Sequence, residues 1–340
     1  MAVARTFLAG CAAVVTMTTW GAPAVSAQAA RLGETFSAFT ASSTVRKPDI
    51  AFDSNNNIYF VVSGQGPVKG GFVSADGAPL GGSFTIPTTS AWTQSARTAF
   101  SPHANAFLVA WVDTRAIVGQ VFGRLVAHAG GGAPSFLTAD FPISGPVGVE
   151  QERGVPAVAY ATLSGEFLVV WMHGNDIRAQ RVANNGQLLG GEIVITADPA
   201  GQQTPGVAYN PQVNEFYVTW SQYTDTITSA VGQRLRAGTG ELLGGATILH
   251  NGPFEKDPEV TFNRITGQYL VAWWHIGPGH QLLGRLVNAD GSLPGAVIPI
   301  ANFGGDPVGL AANPMSGSYF SVFHGDSAED FGLEVSATGV

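Results

Sequence analysis

Short apolar segments in which side chains alternate between two faces recur along most of the chain. Four of them share the pattern aromatic-x-Val-x-Trp, at residues 107–111, 167–171, 216–220 and 269–273. Phe167, Val169 and Trp171 fall on one face of such a strand, because strand side chains alternate with a period of two. Leu168 and Val170 fall on the other face, which is also apolar. This pattern is typical of a strand in a sheet that is packed between two other sheets.

The tryptophan of each segment marks an internal repeat. Two degenerate copies flank the four clear ones, at residues 58–63 and 319–323. The marker positions are Ser63, Trp111, Trp171, Trp220, Trp273 and Phe323. Their spacing of about 50 residues is the length of one four-stranded blade in a β-propeller. The sequence therefore predicts an all-β fold, a propeller of six antiparallel blades, with the tryptophans packed between blades.

Each repeat contains four strand signals. A short apolar strand comes first, usually opened by proline, as at Pro156, Pro205 and Pro258. The tryptophan strand is second, and a third strand ends in a Gly-Arg or Gln-Arg pair followed by an apolar residue. A turn such as Asp290-Gly291 then leads to the fourth strand. The recurring third-strand arginines are Arg124, Arg181, Arg234 and Arg285. Their repetition predicts a structural role, a hydrogen bond from one blade to the next.

The two ends of the chain predict how the ring closes. The last repeat ends after its third strand, at residues 331–339, and residues 32–39 match the fourth strand of an earlier repeat at residues 243–249. The N-terminal strand is therefore predicted to complete the last blade, which leaves no open seam in the ring. This arrangement resembles that of six-bladed β-propeller repeat proteins exported by bacteria. The resemblance covers the whole chain after the leader, and it implies a fold but no specific activity.

The first residues have the pattern of an export signal. Arg5 supplies a positive charge, residues 7–17 are mostly apolar, and small residues precede a cleavage position near residue 29. We expect a signal peptide over residues 1–29, a single propeller domain over residues 30–340, and a secreted or periplasmic location. The only cysteine, Cys11, lies within the leader, so the exported chain has no thiol.

Residues 8–11 also resemble a lipoprotein cleavage box, which would anchor the chain at Cys11. This alternative is the weaker one, because few apolar residues separate Arg5 from Cys11 and the apolar run continues beyond it. The apolar run is too short to predict a membrane span.

Charged residues make up 12% of the chain, the formal net charge is −8, and no basic cluster occurs. The sequence therefore predicts that the protein binds neither nucleic acid nor an anionic membrane. We also expect it to be a monomer.

Candidate functional residues cluster at one predicted edge of the ring, which we call the rim. The loop after each second strand and the loop leading into the next blade lie on the same side of a propeller. The side chains that we predict to contact a ligand there are Asp113, His173, Asp176, Gln222, Tyr223, Trp274, His275 and His324. The loops leading into the blades add further polar residues, among them Asp49, Arg97, Gln202, Glu255 and Glu259. Amides, carboxylates and exposed rings of this kind suit the hydroxyls and faces of sugars.

Three functions remain open from these residues. The first is a binding module for a carbohydrate or a cell-surface polymer, the second a polysaccharide lyase or glycoside hydrolase, and the third a protein-interaction scaffold. In an enzyme, histidines of the rim could act as a base or as metal ligands beside Asp113 or Asp176. No nucleophile elbow, phosphate-binding loop or compact His-Glu-x-x-His motif occurs, so the sequence predicts neither a metal site nor a cofactor. A solvated edge without any ligand would also explain the polar rim.

Overall fold

The computed structural model of the protein describes residues 48–64, 67–116, 118–145, 155–277, 279–302, 307–324 and 330–338. All regular secondary structure in these ranges is β, and the strands form six antiparallel sheets. The sheets are the six blades of a propeller, numbered here in chain order, as the repeat spacing predicted. In these ranges we find no helix with the length and apolar character needed to cross a lipid bilayer.

The first three blades have the following strands. Blade 1 contains β1 (Asp49–Asp53), β2 (Ile58–Ser63), β3 (Lys69–Ser74) and β4 (Pro79–Thr85). Blade 2 contains β5 (Thr93–Ser101), β6 (Ala106–Ala116), β7 (Val118–His128), β8 (Pro134–Phe136) and β9 (Phe141–Pro142). Both β8 and β9 pair with β7, so the outer strand of blade 2 is interrupted. Blade 3 contains β10 (Ala157–Ala161), β11 (Glu166–His173), β12 (Asp176–Ala183) and β13 (Leu188–Thr196).

The last three blades repeat this order. Blade 4 contains β14 (Gly201–Asn210), β15 (Glu215–Tyr223), β16 (Thr228–Arg236) and β17 (Leu242–Gly252). Blade 5 contains β18 (Glu255–Asn263), β19 (Gln268–His275), β20 (Gln281–Asn288) and β21 (Ile298–Ala301). Blade 6 contains β22 (Pro307–Ala312), β23 (Tyr319–His324) and β24 (Asp330–Val335). Its predicted fourth strand, residues 32–39, lies outside the described residues, as does the predicted leader.

The second strand of each blade is buried on both faces. In β6, Val109 and Trp111 pack against side chains of blade 1, while Leu108 and Val112 pack against blade 3. All four marker tryptophans are 0% exposed, and each packs with residues of the preceding blade. The predicted inter-blade tryptophan core is therefore confirmed. Burial of such large rings stabilises the contacts between blades.

The third-strand arginines do connect blades, but they occupy two positions rather than the single one that the sequence suggested. Arg124 donates to the Ile86 carbonyl and Arg285 donates to the Leu249 carbonyl, each in the preceding blade. Arg124 and Arg285 lie opposite the residue two before the marker tryptophan of their own blade.

The other two arginines bond forward along the ring. Arg181 donates to the Gly238 carbonyl of blade 4, and Arg234 donates to the Asp290 carbonyl of blade 5 at 2.9 Å. Both lie opposite the residue three before the tryptophan. A shift of one residue moves a strand side chain to the other face, so these arginines reach the following blade instead of the preceding one.

Candidate functional site

The first strands of all six blades surround a central cavity of about 470 Å³. Most of its wall is apolar, with Ile50, Val158 and Val207 as examples. The charged side chains in the wall, within the described residues, are Asp49 of blade 1, Arg97 of blade 2 and Glu259 of blade 5. In the strand register, each of the three pairs with the residue directly before the marker position of its blade. They therefore lie one step nearer the rim than Ile50 and Thr98, which line the same cavity.

Asp49 is held by the neighbouring blade. The backbone N–H of Thr98 donates to its Oδ2 at 2.7 Å. Burial raises the pKa of the Asp49 carboxyl, and the positive charge of Arg97 and the backbone hydrogen bonds oppose that rise without cancelling it. Arg97 itself donates to the Ala96 carbonyl at 3.1 Å. The wall of the cavity therefore carries a carboxyl group with enhanced proton affinity beside a guanidinium group.

A recurring β-bulge separates the rim from the cavity. The register of the first and second strands shifts between Gln94 and Arg97 in blade 2, and equivalent shifts occur in blades 4 and 5. At the same point Ser95, Thr204 and Asp257 adopt positive φ angles of 59°, 49° and 50°. Such angles are costly for residues with a side chain and are retained where the surrounding structure imposes them. The bulge lets Glu259 line the cavity while Glu255, four residues earlier, is fully buried at the rim.

Asp113 lies at the rim end of β6 and is fully buried. Its carboxylate accepts hydrogen bonds from the indole Nε1 of Trp111 at 3.1 Å, from the Arg115 backbone N–H at 2.8 Å and from the Arg115 guanidinium at 2.7 Å. Arg115 also bonds Asp140 at 2.8 Å. Asp113 is thus engaged by its own blade, and its predicted contact with a ligand stays a prediction.

His173 and Asp176 are brought together by the turn between β11 and β12, where they form a pair in the strand register. The Nδ1 atom of His173 is buried and has no hydrogen-bond partner among the described residues. Asp176 bonds Arg178 at 3.2 Å, and Arg178 bonds Glu192 at 2.6 Å. This arrangement orients Asp176 toward the outer strand of blade 3.

The remaining predicted residues stand on three other blades. The Oε1 atom of Gln222 accepts a hydrogen bond from the Trp220 indole at 3.4 Å. Tyr223 and Trp274 are half-buried at the rim ends of β15 and β19, and the Trp274 ring meets the His280 ring edge-on at 5.7 Å. The backbone of His324 ends β23, and its side chain lies outside the described part of the chain. The predicted residues therefore share one face of the ring but are distributed over five blades.

One rim cluster brings two histidines to a buried carboxylate. His275 Nδ1 lies 2.7 Å from Glu255 Oε1, and His250 Nδ1 lies 3.2 Å from the same oxygen. The sequence prediction included His275 and noted Glu255 among the loop residues, but it missed His250. His250 belongs to the outer strand of blade 4, where a ligand residue was not expected. The available signal was its position five residues before Glu255, across the connection between two blades.

Comparisons with known proteins show the fold. No family model matches the sequence, and no curated protein matches it significantly. A protein of unknown function from Dyadobacter fermentans DSM 18053 superposes with a TM-score of 0.56 and 10% identity, covering 85% of this chain and 93% of that one. The periplasmic gluconolactonase of Pseudomonas aeruginosa superposes with a TM-score of 0.54 and 14% identity, covering 88% of each chain.

A carbohydrate-active enzyme is also among the similar structures. The endo-arabinase of Bacteroides thetaiotaomicron VPI-5482 aligns with a TM-score of 0.43 and 13% identity, covering 69% of this chain and 90% of that one. At these identities the similarity is one of architecture alone. The chain is a six-bladed β-propeller.

Proposed function

We propose that this protein, after export, binds a carbohydrate or a sugar-containing cell-surface polymer at the rim end of its central cavity. The observation that carries the proposal is the placement of Asp49, Arg97 and Glu259 on the otherwise apolar wall of one cavity. A concave, mostly apolar site with a few converging polar groups is the usual form of a small-molecule site.

The chemistry of the wall suits a sugar. Carboxylates accept hydrogen bonds from hydroxyl groups, and the guanidinium of Arg97 donates to hydroxyl or carboxylate oxygens. The apolar side chains between them offer contact surface to the C–H faces of a sugar ring. A cavity of about 470 Å³ falls within the range of roughly 300–1,000 Å³ that is usual for small-molecule sites. The half-buried rings of Tyr223 and Trp274 at the rim would extend contact along a longer chain.

Glycoside hydrolysis or lyase chemistry is the second candidate, and one observation favours it. Burial raises the pKa of Asp49, as a general acid requires, and Glu259 supplies a second carboxyl group to the same cavity. In this version Asp49 would protonate the leaving group while Glu259 acts as base or nucleophile. The same residues would bind the sugar in either case, so only the release of product distinguishes the two.

The binding proposal is tested with the exported protein purified without a tag. A glycan array identifies the oligosaccharide that binds best, and calorimetry with that oligosaccharide measures its affinity. We expect Glu259→Gln and Arg97→Met each to weaken binding by tenfold or more, because each removes a polar contact in the cavity. Glu241→Gln is the matched control, since Glu241 is an exposed carboxylate in a turn on blade 4. Absence of binding to every glycan, or full affinity in both cavity variants, would refute the proposal.

The enzymatic version is tested by incubating the protein with the polysaccharide from which the best oligosaccharide derives. New reducing ends indicate hydrolysis, and unsaturated sugars indicate a lyase. We expect Asp49→Asn to abolish product release while sugar binding persists. Binding without any product in the unmodified protein would leave the binding module as the function.

A further inference from the structure

The cluster of His250, Glu255 and His275 connects two blades at the rim. His250 is near the end of β17 in blade 4, Glu255 begins β18, and His275 ends β19 in blade 5. Glu255 and His275 are directly paired in the strand register. The His250 ring stacks over Trp273 at 5.8 Å and meets the His275 ring edge-on at 6.0 Å. Packing therefore holds all three side chains in place.

The polar atoms of this cluster are incompletely satisfied. The Glu255 side chain is 0% exposed, and its Oε2 atom has no hydrogen-bond partner among the described residues. His250 Nδ1 is also buried and makes no hydrogen bond there, although it lies 3.2 Å from Glu255 Oε1. A buried carboxylate oxygen without a partner is costly, and such groups in folded proteins are normally paired or coordinate a metal. The cluster therefore contains a buried oxygen atom and a buried nitrogen atom that are free to bind a ligand.

Two glycines shape the space around these atoms. A Cβ at Gly252 would overlap Oε1 of Glu255 and lie 2.9 Å from its Cδ, and a Cβ at Gly277 would lie 2.5 Å from Nε2 of His275. Gly252 does not have a positive φ, so its backbone does not require glycine. The glycine at position 252 is required instead by the position of the carboxylate, which occupies the space that a side chain would fill.

We propose that His250, Glu255 and His275 bind a divalent transition metal ion, with Zn²⁺ the best match. Two imidazoles and one carboxylate are a ligand set that Zn²⁺ uses in proteins, with one position left for water or a substrate group. One ligand atom from each residue lies within 4.8 Å of those of the other two. Zinc bonds of about 2.0–2.1 Å place tetrahedral ligands roughly 3.3 Å apart, so the three side chains need only small adjustments.

The fourth position would open to solvent at the rim. The side chains of His250 and His275 are 28% and 17% exposed, whereas Glu255 is enclosed. A metal with three protein ligands and an accessible position can polarise a bound oxygen atom of a ligand. The compact motifs sought in the sequence do not describe this site, because its ligands come from three strands and two blades. The sequence analysis predicted no metal site, although it considered rim histidines as metal ligands beside Asp113 or Asp176. The site proposed here includes one of those histidines, His275, but takes its carboxylate from Glu255.

This site is distinct from the proposed sugar-binding cavity. None of the three residues lines the cavity, whose charged groups are Asp49, Arg97 and Glu259. Metal binding and sugar binding are therefore separable by experiment. Failure of one proposal leaves the other standing.

The test uses Zn²⁺ alone, added to tag-free protein that has been treated with a chelator. We expect calorimetry to show one Zn²⁺ per chain, and Co²⁺ in its place to give the visible absorption of a tetrahedral site. His250→Ala and His275→Ala should each weaken Zn²⁺ binding at least tenfold. His280→Ala is the matched control, because His280 is exposed in the loop after His275 and lies outside the cluster.

A second variant removes no ligand atom. Gly252→Ala should displace the Glu255 carboxylate and weaken Zn²⁺ binding as strongly as loss of a histidine. Melting curves without metal establish that each variant is folded, and Zn²⁺ should raise the melting temperature of the unmodified protein and of His280→Ala only. No stoichiometric Zn²⁺ binding by the unmodified protein, or unchanged affinity in both His250→Ala and Gly252→Ala, would overturn the proposal.

Discussion

The indole N–H of Trp111 donates a 3.1 Å hydrogen bond to the carboxylate of Asp113, two residues along the same strand. Gln222 accepts the equivalent bond from Trp220. In blades 2 and 4, the polar residue two positions after the tryptophan therefore accepts the hydrogen bond of a buried indole N–H. In blades 3 and 5 that position is His173 or His275, and the Nε1 atoms of Trp171 and Trp273 have no partner among the described residues. In blade 5 the histidine instead contacts Glu255, with His275 Nδ1 2.7 Å from Glu255 Oε1.

Asp113→Ala should be strongly destabilising. It leaves the buried indole of Trp111 without an acceptor and removes a partner of Arg115, so we expect a loss of about 3 kcal/mol in the free energy of unfolding. Gln222→Ala, which removes a longer bond between uncharged groups, should cost about 1 kcal/mol. Denaturant unfolding followed by tryptophan fluorescence measures both. Equal losses would show that the charge at Asp113 adds nothing to stability.

The ion pair between Arg181 and Glu166 should stabilise the contact between blades 3 and 4. Their side chains are 14% and 2% exposed, the N–O distance is 2.6 Å, and the Glu166 carboxylate also accepts the Gly238 backbone N–H of blade 4 at 2.6 Å. Because Arg181→Met strands a buried carboxylate, we expect it to cost about 3–5 kcal/mol.

Adding Glu166→Gln in a double-mutant cycle should recover part of that cost, since no uncompensated charge then remains. The pair between Arg236 and Glu241 provides the control. It is 46% and 62% exposed, so Arg236→Met should change stability by no more than about 0.5 kcal/mol. If both pairs behave alike, burial is not what makes the Arg181 contact strong.

Asp49 should make the protein less stable as the pH rises. Burial raises its pKa in the folded state, so above about pH 4 the unfolded chain releases this proton before the folded one does. Asp49→Asn removes that dependence. We expect the variant to gain stability relative to the unmodified protein as the pH increases from 4 to the raised folded pKa. Thermal unfolding across this range would contradict us if the gain were independent of pH.

Asp140 should change stability with pH in the opposite direction to Asp49. Burial acts to raise its pKa, but hydrogen bonds from Arg115 and Thr88 outweigh it and leave the pKa lowered. The stability that Asp140 contributes is therefore present above the usual aspartate pKa and lost as the pH falls through the lowered value. Asp140→Asn should destabilise the protein at pH 7, and the difference should shrink toward low pH.

Deleting residues 32–39 tests the predicted closure of the ring. Within the described residues β24 pairs with β23 alone, whereas the third strands of the other blades also pair with an outer strand. If residues 32–39 complete blade 6, their deletion exposes an unpaired strand edge and lowers both the melting temperature and the solubility. Deletion of the turn residues 130–132 in blade 2 is the control, because it leaves a two-residue loop between the paired residues His128 and Pro134, and it should have less effect. A closure deletion as stable and soluble as the parent would exclude the strand exchange.

The blade count and the tryptophan core could be read from the sequence because both depend on local periodicity. A period of two assigns side chains to the two faces of a strand, and a marker that recurs about every 50 residues gives the number of blades. The two classes of arginine could not be separated in this way. Arg181 and Arg285 differ by one step of pairing register, and register is set by bulges between strands rather than by the composition of either one.

The candidate site was predictable only in its position on one face. Asp49, Arg97 and Glu259 were recognisable as polar residues near the entry to a blade, but their common cavity depends on how the six first strands are arranged around one centre. His250 was missed because it approaches Glu255 across the junction of two blades. The burial of Asp113 could not be predicted either. Its partner Arg115 is only two residues away on the same strand, and the sequence does not show whether this pair is buried or faces solvent.

Each marker ring faces the blade that precedes it, and this has a consequence for the growing polypeptide. On the ribosome, the surface that will cover Trp111, Trp171, Trp220 or Trp273 has already been made when the tryptophan appears. Blade 1 is the exception, because its preceding neighbour is blade 6, the last to be synthesised. Its marker position, by register, is Ser63. The face of blade 1 that contacts blade 6 is therefore uncovered for the longest time during synthesis, and its marker position carries a hydroxyl group rather than an indole ring.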